Sequence, residues 1–156
     1  MRGATNYMRE LIRRFDTYLI GHLQKWAVCV ARIAIFTVYF WFGLLKLLGV
    51  SPAGPLVQAL FEKTLGGVPF NTFYTFFSIF EIIIGLIFLI RGLERLAILL
   101  LGLHLITAAL PLFFLTNLTW QSFLVPTLLG QYIIKNILIA AIAVVVGSKL
   151  IPLRSK

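Results

Sequence analysis

Five ionisable side chains, Arg32, Lys46, Glu81, His104 and Lys135, sit inside long runs of apolar residues. Where such a run crosses a bilayer, a charge is expensive and turns toward the interior of the bundle, so these are the positions able to hold a ligand or a proton. Glu81 and His104 have the chemistry of proton exchange, and the three cations have that of polarising oxygen atoms. The signs do not balance. Three strong cations face one carboxylate, so at least one cation must reach an interface, lose its proton, or meet an acceptor from outside the chain. A quinone carbonyl, a lipid phosphate or a partner's carboxylate has the required chemistry.

Spacing refines the constellation. Arg32 and Lys46 are fourteen residues apart, which leaves them within about 40° of each other on a helix and about 21 Å apart along it. Tyr39 and Gly43 fall on the same stripe, which is expected to point inward. Snorkelling toward opposite interfaces is the alternative for these two cations. Glu81 lies near the middle of its run, with Ser78 and Gly85 on its face leaving room for a neighbouring helix or a ligand. His104 shares a face with Thr107 and Pro111, and the proline is expected to free the Thr107 carbonyl beside the imidazole. A packing histidine with one hydrogen bond is the simpler role for His104. Further on, Gln131 and Lys135 lie one turn apart, as do Tyr132 and Asn136. Lys135 is expected to turn inward and pair with Glu81.

The elements that carry these residues follow from composition. The chain has 156 residues, 60% hydrophobic and only 12% charged, with mean hydropathy +0.99, too apolar for one water-facing core. Four stretches reach the roughly 20 residues needed to cross a bilayer: 27–50, 72–90, 96–116 and 127–147. A tight hairpin at 91–95 joins the second and third. Together they predict an all-α integral membrane four-helix bundle. A single cysteine, Cys29, excludes a disulfide framework and a CxxC pair, and two histidines, His22 and His104, exclude an imidazole-rich metal site in one chain. No metal is expected.

The net charge of +9 reads as topology rather than as affinity for nucleic acid. Arg2, Arg9, Arg13, Arg14, Lys25, Arg91, Arg95, Lys149, Arg154 and Lys156 gather at one end of the four spans, with only Lys63 at the other. Both termini are therefore expected on the cytoplasmic side, with 148–156 as a basic tail. The first span is too long for a signal peptide's apolar region and contains Lys46, so an uncleaved anchor is expected. Residues 1–26 alternate Met8, Leu11, Ile12, Phe15, Leu19, Leu23 and Trp26 with polar positions, predicting an amphipathic helix lying flat on an anionic leaflet, or else docking a partner. His22 is expected to be an interfacial residue there. Between the first two spans, Pro55 and Gly66-Gly67 bracket a short apolar stripe, predicting a small outer helix over 55–65. Phe70, Phe73, Tyr74, Trp120 and Phe123 fit an outer aromatic belt.

Arg32-Ile-Ala-Ile-Phe, Trp41-Phe-Gly-Leu-Leu-Lys46 and Glu81-Ile-Ile-Ile-Gly85-Leu, followed by a hairpin, together resemble the DoxX-like membrane superfamily. The matched positions are Arg32, Gly43, Lys46, Glu81 and Gly85, and Gln131-Tyr132-Ile-Ile-Lys135-Asn136 resembles the fourth-span motif of these proteins and of the related DUF417 group. The resemblance covers about residues 27–147. It implies a four-helix bundle in a bacterial cytoplasmic membrane. Relatives of this kind include a subunit associated with thiosulfate:quinone oxidoreduction, redox-stress membrane proteins and eukaryotic cargo or assembly factors. The expectation is a membrane subunit of a redox or oxidative-stress system, with Arg32, Lys46, Glu81 and Lys135, aided by His104, receiving a quinone-like or anionic ligand. No intrinsic cofactor is evident. A membrane or redox partner protein and a homo-oligomer are the macromolecular partners considered. The alternatives are a noncatalytic assembly factor whose charges fix helix register, and a small proton-coupled transporter. A charge-lined cavity would favour ligand binding; a closed network of paired side chains would favour the scaffold.

Overall fold

The computed structural model of the chain describes residues 2–152, with side chains from Met8 onward. The side chain of Arg2, and Arg154 and Lys156 of the expected basic tail, lie outside the described residues. Helix α1 runs from Arg2 to Leu47, 46 residues without a break. No proline interrupts this stretch, so the amphipathic segment and the first span are one helix, with no turn at Trp26–Ala27 to separate a surface helix from a crossing one. The helix stops where Gly49 takes a left-handed φ of 73°. Its N–H donates to the Lys46 carbonyl at 3.0 Å and that of Val50 to the Leu45 carbonyl at 3.0 Å, a glycine cap.

Helix α2, Gly54–Thr64, carries Pro55 in its first turn and matches the expected outer helix to within a residue. Helix α3, Phe70–Leu89, begins directly after Pro69, whose extended backbone ends the loop. The hairpin turns at Gly92, φ 92°, into α4, Glu94–Ala109. Pro111 then interrupts the ladder, and the third crossing continues as the single turn α5, Pro111–Phe114. Next come α6, Thr116–Thr119, and a small antiparallel hairpin of β1, Trp120–Ser122, and β2, Val125–Pro126. The periodicity gave no signal for either. The fourth crossing is α7, Leu128–Ile134, capped by Thr127, and α8, Asn136–Gly147, meeting at Lys135.

Four crossings are thus long and apolar enough to span a membrane: Met8–Leu47, Phe70–Leu89, Glu94–Phe114 and Leu128–Gly147. They close a ring in which α1 touches α3 and α8, and α4 touches the same two. One end of the ring is filled by Ala31, Ile35, Tyr39, Ile84, Phe88, Ala97, Leu101, Ala143 and Val146. At the other end α2 lays Phe61 against Phe73, ring centres 4.7 Å apart. Between them α1 and α3 approach very closely. A Cβ on Gly43 would meet the Ser78 carbonyl oxygen at 2.9 Å, and one on Gly85 the Phe40 nitrogen at 3.0 Å. The absence of side chains at these two positions sets the distance between the helices that carry Lys46 and Glu81.

Candidate functional site

Tyr39 and Lys46 lie on the inward stripe of α1, Glu81 on the facing side of α3, and His104 on α4. All four are less than a tenth exposed. They form one hydrogen-bonded chain. Lys46 Nζ donates to both carboxylate oxygens of Glu81, at 2.6 and 2.5 Å. His104 Nε2 lies 2.8 Å from Glu81 Oε1, and Tyr39 Oη lies 3.0 Å from His104 Nδ1. An ionised carboxylate only accepts, so the neutral imidazole carries its proton on Nε2 and donates to Glu81, which leaves Nδ1 to accept from the Tyr39 hydroxyl. In this protonation state every ring nitrogen and carboxylate oxygen has a partner, and one cation faces one anion.

Aromatic rings enclose the chain. Phe77 stacks on His104 with ring centres 5.2 Å apart and planes 22° apart, and Lys46 Nζ sits 5.5 Å from the centre of the same ring. Tyr39 meets the imidazole edge-on at 5.1 Å. Ser78, fully buried, returns its hydroxyl to the Tyr74 carbonyl at 2.6 Å and takes no part in the charged chain.

The pairing differs from the sequence expectation. Glu81 pairs with Lys46 and His104, not with Lys135. Lys135 points out of the bundle, exposed, with Nζ 5.3 Å from the centre of the Tyr132 ring, and no carboxylate lies within salt-bridge distance of it among the described residues. Side chains on a helix lean toward its N-terminus, which carries the Lys135 ammonium back along α7 rather than across to α3. Gln131 and Tyr132 are exposed as well and Asn136 only half-buried, so the polar heptad faces away from the cluster.

Arg32 is also separate from the cluster. Its Nε donates to the Phe88 carbonyl at 2.6 Å and its Nη1 to Glu94 Oε1 at 2.8 Å, with both ionic groups largely buried. Nη2 is buried without a partner. Glu94 Oε2 accepts from the Gly92 N–H at 2.8 Å, so this pair clasps the α3–α4 hairpin to α1. Glu94 is the residue that counting charges within spans overlooks, because it lies in a hairpin that reads as topology. The height of Arg32 near the same end of the bundle was the available signal. The Thr107 carbonyl is not left free by Pro111 either: the Leu110 N–H takes it at 3.2 Å, and the Thr107 hydroxyl donates to the His104 carbonyl at 2.8 Å.

An apolar cleft of about 400 Å³ lies between α4 and α8, lined by Ile98, Leu101, Leu105, Ala143, Val144 and Gly147 among others. None of the four cluster residues lines it. Compared with protein-family models, with curated proteins and with solved structures, the chain matches none.

Proposed function

We propose that this chain is a multi-pass protein of a bacterial cytoplasmic membrane, a DoxX-like subunit of a redox or oxidative-stress system that acts as a noncatalytic scaffold. The observation that carries the scaffold reading is the Tyr39–His104–Glu81–Lys46 chain, in which both imidazole nitrogens and both carboxylate oxygens are hydrogen-bonded within the protein. A network of that kind links α1, α3 and α4 and fixes their relative register, as buried polar groups do where register has alternatives. The membrane setting rests on four apolar crossings, and the redox setting on the DoxX-like motifs alone.

The decisive experiment exchanges the entire chain at once. Tyr39→Phe, Lys46→Met, Glu81→Leu and His104→Leu together remove every polar member without stranding one. In cells lacking the protein and challenged with oxidant, the scaffold reading expects this variant to insert and to restore growth as the wild type does. A variant that inserts and melts normally yet fails to restore growth overturns it.

A second reading has its own observation. Four ionisable groups in line, with a stacked ring beside the imidazole, also suit a site at which a quinone-like or anionic ligand competes for Lys46 while His104 and Glu81 hold the proton. Gentle purification followed by analysis of bound quinones and lipids tests this. Absence of quinone, with no shift in melting on adding it, counts against it.

A further inference from the structure

The three cations inside the crossings differ in what they meet. Arg32 has Glu94 and Lys46 has Glu81, whereas Lys135 has, among the described residues, only the Tyr132 ring, its centre 5.3 Å from Nζ. The sequence holds five Asp and Glu residues, and none is left to pair with it. Glu10 and Asp16 lie near the start of α1, at the opposite end of the bundle from the start of α7. Glu62 lies on α2, where it accepts from Gln58 at 2.9 Å. The positive surplus of the spans therefore comes down to Lys135.

Lys135 has polar company. Gln131 and Tyr132 are exposed beside it and Asn136 is half-buried, and among the described residues none of these side chains hydrogen-bonds to another. The group sits where α7 meets α8. Lys135 is seven residues inside Leu128 and twelve inside Gly147, about 10 and 18 Å from the two ends of the crossing. Lipid chains offer no hydrogen-bond partner at that depth. Snorkelling carries the long Lys135 stem toward the outer end, but Asn136 is a residue deeper, and one methylene gives its carboxamide no such reach. Leu128 and Leu138 are 66% and 63% exposed, and Ala141 and Val145 are exposed further along. The polar group is thus set in an otherwise apolar outward face, the pattern of a helix–helix contact within a membrane.

We infer that this face docks a membrane-spanning helix of a different protein, one that carries an aspartate or glutamate at the depth of Lys135. Charge complementarity selects the occupant. A carboxylate gives the ammonium its missing partner, while Gln131, Tyr132 and Asn136 supply donors and acceptors around it. A second copy of this chain, paired about a two-fold axis through the face, would set Lys135 against its own equivalent. A lipid phosphate is confined to the headgroup region, which leaves Asn136 without a partner. The inference rests on the membrane-subunit reading and names the chemistry of the partner; it does not depend on the role of the buried Lys46–Glu81 pair.

The test places the photocrosslinking residue benzoylphenylalanine at Leu138 of the full-length chain, in membranes of the native host. Phe76 on α3, 70% exposed and across the ring from α8, is the control position. Irradiation should give an adduct from position 138, and not from 76, whose crosslinked peptide maps to a membrane-spanning helix with a carboxylate. Lys135→Met should cut the yield about tenfold or more, and Lys135→Arg should keep it within about twofold. Lys135→Glu should abolish the adduct, and exchanging the partner's carboxylate for lysine should restore it. Melting of the purified Lys135→Met protein, unchanged from wild type, separates loss of docking from loss of the bundle. Adducts with lipid alone, with a second copy, or with a helix lacking a carboxylate overturn the inference, as does an undiminished yield in Lys135→Met. Extraction at alkaline pH reports insertion separately. A chain that washes off loses the membrane reading and the inference with it, and a chain that stays without forming the adduct loses the inference alone.

Discussion

Glu81 is the only acceptor for both Lys46 and His104 among the described residues, which makes it the residue whose loss is most costly. Glu81→Gln strands a buried ammonium, a change worth about 3–5 kcal/mol in comparable buried pairs. Thermal melts in mild detergent should show a large drop for Glu81→Gln, most of it recovered when Tyr39→Phe, Lys46→Met, Glu81→Leu and His104→Leu are combined. Lys135→Met makes the opposite case. With its ammonium outside the bundle and no carboxylate near, the substitution should leave stability within about 0.5 kcal/mol of wild type; a drop comparable to that of Glu81→Gln would restore the pairing expected from sequence. The sequence identified which ionisable residues are internal for Lys46, Glu81 and His104, because apolar context and a shared helical stripe report burial directly. It did not identify the partners. Partner choice depends on helix rotation and side-chain lean, and a run such as Gly130 to Asn136 contains both an inward and an outward solution.

At the scale of elements, the α1–α3 contact depends on what Gly43 and Gly85 lack. Gly43→Ala drives a methyl group into the Ser78 carbonyl and the Ile82 side chain, and Gly85→Ala into the backbone at Phe36 and Phe40. Each should cost about 1–3 kcal/mol through overpacking and loosen the Lys46–Glu81 pair with it. Gly102 is the control, since a Cβ there meets nothing within 4 Å. Gly102→Ala should be neutral or stabilising by up to about 1 kcal/mol, as expected for a helix interior. Denaturant titration of the three variants side by side checks the ordering. Helices of this length were legible because their apolar runs are long and bounded by Pro55, Pro69, Gly92 and Thr127. The β1–β2 hairpin was not. It consists of five residues around Leu124, which adopts a left-handed φ of 57° usually left to glycine or asparagine, so the turn carries none of the residues that signal one.

For the whole molecule, charge and ring topology make a joint claim. Four sequential helices in an up-and-down ring put both ends of the described residues at one end of the bundle, and Arg9, Arg13, Arg14, Lys25, Arg91, Arg95 and Lys149 all lie at that end, against Lys63 at the other. Positive residues are retained in the cytoplasm during insertion, so that end should be cytoplasmic and α2 should face outward. Lys63 itself donates to the Phe114 carbonyl at 2.6 Å, a contact between α2 and α5 that holds the α2 cap down. In the Cys29→Ser background, a membrane-impermeant maleimide applied to intact cells should label Thr64→Cys, and should label Arg91→Cys and Lys149→Cys only after permeabilisation. The orientation should also resist neutralising the hairpin. Arg91→Gln with Arg95→Gln removes two cations but leaves the five that precede the first crossing, Arg2, Arg9, Arg13, Arg14 and Lys25, and the first crossing usually dominates the outcome. Labelling of position 91 in intact cells would reverse the assignment. The two ends of the bundle would then exchange roles, with the Arg32–Glu94 clasp facing outward and the aromatic cap of α2 facing the cytoplasm.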